Sequence, residues 1–329
     1  LTGEVMSIGE KSTLAVTNPE ASLRMAMGEA LTNMAGVVIK GLDYVQVSAN
    51  WMAASGDPKQ DSALRNGVEA LSKISVDLEV SIPVGKDSLS MRTKWNEEKN
   101  EYEVTSPLSG IISAMAPVDD ISHSVTPELN VDEDSVILVV KINQKNRLAG
   151  SIFSEVTESK YTETPDIDDV KLFKSLFNHI QKLIKDNKIL AMHDISDGGL
   201  VTALAEMCFT KKVGMNIHVD DIDSINKTLF SEEIGLVIQV KSDDLDIVKS
   251  SLDEINLYVE EVATIAEESF SILSKEKEVF SESITVLEKH WRETSHAIQS
   301  IRDNKKIADS ELNLLDNKNY HGLNSNVSF

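Results

Sequence analysis

The segment His193–Gly199 (HDISDGG) combines acidic side chains, a hydroxyl and two glycines in a pattern that can bind phosphate. It lies between a short apolar run, which predicts a strand, and an amphipathic run from Gly198, which predicts a helix. A turn at this junction directs backbone N–H groups and the positive helix end toward one point. Asp194 and Asp197 would repel bare phosphate but could bind a bridging Mg²⁺, and the Ser196 hydroxyl could donate to a phosphate oxygen. The same residues could instead cap and pack the helix, and position alone favours neither interpretation.

Glu29 and Asn33 stand four residues apart in an apolar run that follows Asn18-Pro19, a strong helix-start signal. Two hard oxygen donors at this spacing lie on one side of a helix and can share a cation. A solvated polar face is the commoner meaning of the spacing. The neighbours of the pair are small or apolar, however, so the helix is predicted to be buried nearly all round. A Glu and an Asn in such a helix need polar partners.

Gly85-Lys86-Asp87-Ser88 follows a predicted strand over residues 78–84 and could form a second anion-binding turn, with Lys86 as the point charge. The spacing of its glycines is not that of a P-loop. An ordinary loop is the more frequent structure for such a tetrapeptide, so the prediction for Lys86 depends on its position after the strand.

Nucleophilic and cysteine-based chemistry has no support in the sequence. The single cysteine, Cys208, falls on the apolar stripe of a predicted helix and is expected to be a small buried residue. The seven histidines show no HExxH or other tight metal-binding spacing, and only His193 lies in a suggestive place. We therefore predict no catalytic side chain in this chain.

The charge balance excludes other functions. The 329 residues contain 32 Lys and Arg against 54 Asp and Glu, a net charge of −22, which repels phosphate backbones and argues against a nucleic-acid partner. No apolar run is long enough to span a bilayer, and the N-terminus lacks the order of a signal peptide, so no membrane association is expected. The cytosol is the expected compartment, which agrees with a single cysteine.

The length predicts two domains, at about 150 residues each. A polar, turn-rich stretch over residues 118–130 marks the boundary. We predict an N-terminal α/β domain over residues 1–125 and a second α/β domain over 126–282. Residues 283–329 are expected to form a closing helix, to about residue 303, followed by a linker. The residues in register along this helix are Leu287, Trp291, Thr294, Ile298 and Ile301. The predicted class is α/β with mixed sheets.

Segments distributed in order over essentially the whole chain resemble phosphoribosylformylglycinamidine synthase of the large, single-chain type. They are GEALTNMA (28–35), SANWMAASG (48–56), IPVGKDSLSM (82–91), TSPLSGIISA (105–114), HDISDGG (193–199), LFSEEIGLVIQV (229–240), FSESITVLEKHWRETSHAIQSIRDN (280–304) and GLNSNVSF (322–329). The chain is similar to the second of two tandem halves of the synthetase region. The resemblance implies that domain 1–125 is truncated at its start and that residues 283–329 lead toward a missing glutaminase domain.

The resemblance implies an ATP-dependent amidation in purine biosynthesis, with formylglycinamide ribonucleotide and glutamine as the other substrates. The products are formylglycinamidine ribonucleotide, glutamate, ADP and phosphate. The implied fold is the two-domain unit shared with aminoimidazole ribonucleotide synthetase, in which N-terminal domains pair across an interface. The implied partners are the nucleotide, the ribonucleotide substrate and the rest of the same polypeptide, and this chain is a candidate for self-association.

The resemblance also assigns roles to four of the candidate residues. In the family, the acid and amide of the GEALTN helix and the first Asp of HDxSDGG bind Mg²⁺ with a nucleotide, which implies Glu29, Asn33 and Asp194. The Ser of the same motif contacts the nucleotide, ATP or ADP, which implies Ser196. Lys86 is added as a nucleotide contact on the strength of its position alone.

The sequence also departs from the family. A further Mg²⁺-binding Asp lies upstream of the GEALTN helix in the family, and nothing before Glu10 supplies it here. The Gly-rich nucleotide segment, the catalytic His of the first half and the amidotransferase Cys are missing as well. The isolated chain is therefore expected to be inactive, with its active site completed by the first half.

Three interpretations remain open at the level of the sequence. The chain could belong to an ATP-dependent carbon–nitrogen ligase and contribute to catalysis. It could instead be a structural half that holds Mg²⁺–ADP without doing chemistry, because the family has two pseudo-equivalent nucleotide sites, one of them structural. A free-standing relative, such as a selenophosphate synthetase or a thiamine-phosphate kinase, is the third, and the missing Gly-rich segment argues against it.

Overall fold

A computed structural model describes residues 2–98, 100–275 and 277–317. The strands are β1 (Gly3–Gly9), β2 (Gln46–Met52), β3 (Ser81–Ser88), β4 (Arg92–Glu97), β5 (Asn100–Thr105), β6 (Ser109–Val118), β7 (Ser135–Lys141), β8 (Ala191–Asp194), β9 (Gly214–Val219), β10 (Gly235–Lys241), β11 (Tyr258–Ala266), β12 (Ser269–Ser274) and β13 (Lys277–Ser283). The α-helices are α1 (Ser12–Ala15), α2 (Pro19–Met34), α3 (Pro58–Leu78), α4 (Ile152–Val156), α5 (Val170–Lys185), α6 (Gly199–Lys211), α7 (Ile225–Phe230), α8 (Leu245–Asp253), α9 (Ile284–Arg302) and α10 (Lys305–Asn313).

The first sheet has the strand order β1-β6-β2-β3. Strands β1, β6 and β2 are antiparallel, whereas β3 runs parallel to β2, to which it is connected through α3. Helix α2 packs on β1 and β6 and also against α3. It begins as predicted, with Pro19 in the first turn and the Asn18 side chain accepting a hydrogen bond from the Ala21 N–H. Its predicted burial on nearly every side is confirmed.

The second sheet has the strand order β13-β12-β9-β11-β7-β10-β8. Strand β12 is parallel to β9 and the other neighbours are antiparallel, so this sheet is also mixed. The predicted class, α/β with mixed sheets, is confirmed. Helix α6 leaves the sheet directly after the edge strand β8 and contacts α7 and α9. Cys208 is buried in α6, as predicted.

One apolar core extends across both sheets. Buried residues of α2, α3 and β6 belong to the same cluster as those of β7, β10 and α5. Gln181 of α5 strengthens the contact, because its side chain accepts from the Ile39 N–H and donates to the carbonyl oxygens of Ala35 and Val37. Burial of this amide is favourable because its polar atoms are paired. The division at residues 125 and 282 stays a prediction.

The structure corrects several predicted elements. Gly85–Ser88 is not a turn: it forms the end of β3, paired in parallel with β2, and Leu78 ends α3 instead of starting a strand. The pattern also missed β1, the β4–β5 hairpin and β13. Local turn signals around Gly85 are overridden because pairing with β2 supplies hydrogen bonds to the backbone of this segment.

The closing region also differs from its prediction. Helix α9 begins at Ile284 with Ser283 as its cap, but Trp291, Ile298 and Ile301, predicted to share an apolar stripe, are largely exposed. The stretch after Asn304, predicted to be a linker, continues as helix α10. The terminal GLNSNVSF segment lies outside the described residues. Within the described chain, no helix combines the length and the apolar character that a membrane span requires.

Candidate functional site

The turn between β8 and α6 depends on two glycines. Gly198 and Gly199 have φ angles of +82° and +74°, a region that side-chain-bearing residues rarely adopt. The Gly199 N–H donates to the Ser196 carbonyl oxygen at 3.0 Å. A Cβ at Gly199 would lie 2.7 Å from the Phe230 carbonyl carbon, so this glycine allows the turn to approach the segment before Glu232 closely. The N-cap residue of α6 is Gly198, which has no side chain to bond to the first turn of the helix.

Lys11, in the connection between β1 and α1, extends its ammonium group into this turn. The Nζ atom lies 2.5 Å from Asp197 Oδ1, 3.3 Å from Glu29 Oε1 and 4.0 Å from Glu232 Oε2. It also donates to Ser196 Oγ at 3.1 Å. We name these five residues the Lys11 cluster. Its members come from segments of the chain that are far apart in sequence, so the cluster ties the end of β1 and α2 to the turn before α6.

Glu29 is the member of the cluster that lies on α2. Its Oε1 atom accepts the hydroxyl hydrogen of Ser196, and its Oε2 atom accepts from the Glu10 N–H at 2.6 Å. Burial raises the pKa of Glu29, against the opposing effects of the Lys11 charge and of these hydrogen bonds. Both carboxylate oxygens are therefore engaged with groups of the protein.

Glu232 lies on the opposite side of the cluster and is 1% exposed. Its Oε1 atom accepts from the N–H groups of Ile152, at 2.9 Å, and Gly198, at 3.0 Å. Its Oε2 atom is buried without a hydrogen-bond partner. Burial raises the pKa of this carboxyl group, and Lys11 opposes the rise. Glu232 thus fixes the backbone of the glycine turn while one of its oxygens remains unsatisfied.

The charge of Lys11 is stabilised by its surroundings. Burial lowers the pKa of a lysine, but the carboxylates of Glu29, Asp197 and Glu232 raise it more, and the pKa of Lys11 lies above its usual value. The ammonium group is therefore retained at neutral pH.

The acid that follows Glu232 is held by a different cation. Glu233 is fully buried and receives two hydrogen bonds from the Arg147 guanidinium, at 2.6 and 2.8 Å. The same guanidinium binds Asp168 at 2.8 Å. Arg24 on α2 pairs with Asp166, two residues before Asp168, at 2.5 Å. These bidentate pairs hold the Glu232–Glu233 segment next to α2.

Of the residues predicted from the sequence, Glu29 and Ser196 are in direct contact. Asp194 ends β8, and its carboxylate lies 3.3 Å from His193 Nδ1. The other ring nitrogen of His193 is 3.1 Å from Glu206. Burial opposes protonation of His193, but the two carboxylates outweigh it and raise its pKa to about 10. Asp194 is thus paired with a protonated histidine, two residues before the serine of the cluster.

The other two predicted residues lie outside these contacts. Asn33 is exposed, one helical turn after Glu29. Lys86 is exposed on the edge strand β3, and its ammonium contacts Ser88 Oγ at 3.1 Å. Neither side chain bonds to a member of the Lys11 cluster among the described residues. Their predicted binding roles stay predictions.

The predicted magnesium ligands do not form a preassembled metal site. Among the described residues, no group of three or more His, Cys, Asp or Glu side chains is arranged to hold a metal ion. Glu29 has both oxygens engaged, Asp194 pairs with His193, and Asn33 is exposed. The cation among the carboxylates is the Lys11 ammonium. The residues therefore do not fit a resident Mg²⁺ ion.

Sequence reasoning missed Lys11 and Glu232. Lys11 carries no motif of its own, since a lysine before a short helix is common. Glu232 and Glu233 did carry a signal, because they form an acidic pair inside the apolar run LFSEEIGLVIQV. Two adjacent acids in a buried segment need cationic or N–H partners, and those partners are Lys11, Arg147 and the glycine turn.

A second buried lysine, Lys141, lines a polar cavity of about 140 Å³ at the end of β7. Its ammonium donates a long hydrogen bond of 3.4 Å to Asn146 Oδ1. Burial lowers the pKa of Lys141 to about 8, although the charges of Glu233 and Glu260 act in the opposite direction. The Tyr258 hydroxyl, which also lines the cavity, donates to the Glu260 carboxylate.

Comparisons with known proteins agree with this architecture. A family model described as the FGAR-AT PurM_N-like domain matches residues 1–117, and one described as the C-terminal domain of AIR synthase related proteins matches residues 132–274. The structure is similar to Thermotoga maritima PurL complexed with FGAR, with a TM-score of 0.68 and 12% identity over 87% of this chain and 46% of that one. The chain thus spans less than half of that PurL chain.

Smaller proteins share the fold over most of their length. A chain of the HypE–HypF complex has a TM-score of 0.58 and 13% identity, with 85% of this chain and 89% of that one covered. Thiamine-monophosphate kinase from Stenotrophomonas maltophilia K279a has a TM-score of 0.56 and 12% identity, with 84% and 86% covered. The two family models match successive parts of the chain, each less than half of its length. The chain thus combines a PurM_N-like domain with a C-terminal domain of the AIR synthase-related type.

Proposed function

We propose that the chain is the second half of the synthetase region of an FGAR amidotransferase, an ATP-dependent carbon–nitrogen ligase of purine biosynthesis. The observation that carries the proposal is the direct contact between Ser196 and Glu29, which joins the HDISDGG and GEALTN motifs in one place. The match of residues 1–117 to the FGAR-AT PurM_N-like model supports this choice over the smaller proteins with the same fold. The similar PurL structures include complexes with FGAR, ATP and ADP.

In this proposal the turn before α6 binds the phosphates of ATP or ADP. The N-terminus of α6 carries no N-cap side chain, and its dipole favours an anion, although the N–H groups of Gly198 and Gly199 already donate to Glu232 and to the Ser196 carbonyl oxygen. The Ser196 hydroxyl, now shared with Glu29, would donate to a phosphate oxygen. The two glycines allow the positive φ angles of the turn, and the space beside them is filled by Thr202 and by the backbone of residues 229–231.

Mg²⁺ would bind together with the nucleotide and would not be resident in the site before the nucleotide binds. Magnesium is commonly held by one or two carboxylates together with substrate phosphates. Glu29 and Asp194 are the carboxylates that we propose for this role, with Asn33 as a third oxygen donor. Each would have to exchange its present partner or solvent for the ion, because the three do not converge in the described structure.

The formylglycinamide ribonucleotide substrate and the glutamine-derived nitrogen would be handled with other parts of a longer polypeptide. This chain covers less than half of the PurL chains that it resembles in fold. We therefore propose that turnover requires the first synthetase half and a glutaminase domain. The isolated chain would make neither formylglycinamidine ribonucleotide nor glutamate.

A structural role for the bound nucleotide is the alternative. It is favoured by the burial of Lys11 and Glu232 and by the hydrogen bond from Lys11 to Ser196, which bridges segments 185 residues apart in sequence. A Mg²⁺–ADP molecule held beside such a bridge would strengthen the contact between the two sheets without taking part in the reaction.

Substitution of Asp194 in the longer polypeptide tests the proposal and separates the two roles. Asp194→Ala should weaken retention of Mg²⁺–nucleotide, measured as nucleotide released from the purified protein by heat. A fall in formylglycinamidine ribonucleotide formation by a folded variant would indicate a catalytic site, whereas a fall mainly in Tm would indicate a structural one. Asp186→Ala, at the end of α5, is the matched control. Unchanged nucleotide retention in Asp194→Ala would contradict the assignment of the turn.

A further inference from the structure

The Lys11 cluster carries more negative than positive charge. Three carboxylates, those of Glu29, Asp197 and Glu232, lie within 4.0 Å of a single ammonium group. Lys11, Glu29 and Glu232 are largely or completely buried, so solvent screens their charges little, whereas the Asp197 carboxylate is 58% exposed. One ammonium compensates one of three carboxylates, and a divalent cation in its place would compensate two.

One oxygen of the cluster has no partner. Glu232 Oε2 is buried and accepts no hydrogen bond, although Lys11 Nζ is the nearest cation, at 4.0 Å. A buried carboxylate oxygen without a partner is costly, and native proteins rarely retain one without a use. This atom faces the space that the Lys11 ammonium occupies, so it is aimed at the position of a cation.

We propose that the Lys11 ammonium and a divalent cation are alternative counter-ions of Glu29, Asp197 and Glu232. Lys11 keeps free metal out of the site, and a metal ion enters only when the ammonium withdraws. Mg²⁺ and Mn²⁺ take oxygen ligands at roughly 2.0–2.2 Å, a distance that leaves no room for an ammonium among the same oxygens. Exclusion by Lys11 explains why carboxylates so close together do not form a metal site in the described structure.

The exchange of Lys11 for a metal ion also has a consequence for nucleotide binding, and this consequence rests on the proposed function. Glu29 is the one carboxylate that the Lys11 cluster shares with the Mg²⁺ ligands proposed above. A nucleotide that brings its own Mg²⁺ to Glu29 would displace Lys11 and leave its ammonium free to meet a phosphate. Lys11 has a flexible four-carbon stem, which suits this exchange better than a rigid guanidinium. The site would then discriminate between free metal, which it excludes, and metal carried by phosphate.

Binding of Mn²⁺ to the full chain without nucleotide tests the inference. Free Mn²⁺ is measured by its electron paramagnetic resonance signal during titration, for the wild type, Lys11→Met and the control Lys73→Met, which removes an exposed lysine from α3. We expect Lys11→Met to bind one Mn²⁺ at least tenfold more tightly than the wild type, and Lys73→Met to behave as the wild type. Equal affinity in Lys11→Met and the wild type would overturn the inference.

A second variant guards against loss of folding. Lys11→Gln removes the charge but keeps N–H donors for Ser196 and Glu29, and should show the same gain. Adding Glu232→Gln to either variant should remove that gain, because it deletes one of the carboxylates. We also expect Mn²⁺ to raise the Tm of Lys11→Met and not that of the wild type. If both neutral variants stay unfolded even with Mn²⁺, a cation does not replace Lys11 and the inference is wrong. These outcomes involve no nucleotide, so they are independent of the nucleotide-binding test of the proposed function.

Discussion

Two lysines of this protein, Lys11 and Lys141, are buried to the same extent, but their pKa values shift in opposite directions. Lys11 and Lys141 are each 3% exposed. The pKa of Lys11 is raised, because the charges of three carboxylates outweigh its burial. The pKa of Lys141 is lowered to about 8, because burial outweighs the more distant charges of Glu233 and Glu260. Burial alone therefore does not decide in which direction the pKa of a lysine shifts, because the charged groups around it contribute as well.

The difference follows from where each lysine lies in the fold. Lys11 is located where segments distant in sequence meet, and each contributes an oxygen to it. Lys141 ends a strand of one sheet and faces a cavity, with the neutral Asn146 as its hydrogen-bonding partner. The surroundings of Lys11 stabilise its positive charge, whereas the surroundings of Lys141 disfavour its positive charge. We expect this contrast to appear in stability as well as in binding.

The largest expected effect is that of Lys11→Met. Removing the ammonium leaves the buried carboxylates of Glu29 and Glu232 without their counter-ion, which should destabilise the protein by about 3–5 kcal/mol. The measurement is denaturant unfolding at pH 7 in the presence of a chelator. Lys86→Met, which removes an exposed lysine from β3, should leave the midpoint unchanged. A loss below about 1 kcal/mol for Lys11→Met would show that the cluster does not depend on its cation.

Lys141→Met should change the free energy of unfolding in the opposite direction. The pKa of this lysine falls from 10.5 to about 8 on folding, so at pH 7 the folded state holds a proton that it binds less tightly than the unfolded chain does. By linkage, replacement with an uncharged side chain of similar length should stabilise the protein by up to about 3 kcal/mol. Unfolding measured beside Lys86→Met provides the control. Destabilisation by Lys141→Met would mean that its ammonium has a partner as strong as those of Lys11.

The smallest expected effect is the pH dependence of the stability difference between Lys141→Met and the wild type. Between about pH 8 and pH 10 the unfolded chain retains the Lys141 proton that the folded chain releases, so the unfolded state binds more protons and stability rises with pH. The advantage of Lys141→Met over the wild type should therefore shrink by about 1.4 kcal/mol per pH unit within this window. Unfolding curves of both proteins at pH 7, 8, 9 and 10 measure it. A constant difference across the series would contradict the lowered pKa.

Local patterns predicted the elements that carry the site, but not its electrostatics. Helix α2 and the turn before α6 could be predicted because their signals are local: Asn18-Pro19 begins the helix, and paired glycines follow a short apolar strand. The contact between Glu29 and Ser196 joins residues 167 positions apart, and the resemblance, rather than any periodicity, linked their motifs.

The failures have equally physical reasons. The prediction of a turn at Gly85–Ser88 was wrong. Local propensity favours the end of a strand at a glycine, but pairing with β2 extends β3 through Gly85. Lys11 was missed because its role depends on Asp197 and Glu232, which only the folded chain brings beside it. Trp291 and Ile301 were predicted to lie in register along the closing helix and are exposed, because a helical stripe shows which residues share a face, not whether another element covers that face.

The proposed function depends most on the binding of nucleotide phosphates by the turn between β8 and α6. Isothermal titration of Mg²⁺–ADP into the full chain, the Ser196→Ala variant and the exposed α8 control Ser250→Ala tests it directly. A hydrogen bond to a charged group contributes about 1.5–3 kcal/mol, so Ser196→Ala should bind at least tenfold more weakly while Ser250→Ala binds as the wild type does. Equal affinity in all three proteins, or no binding by the wild type, would contradict the claim.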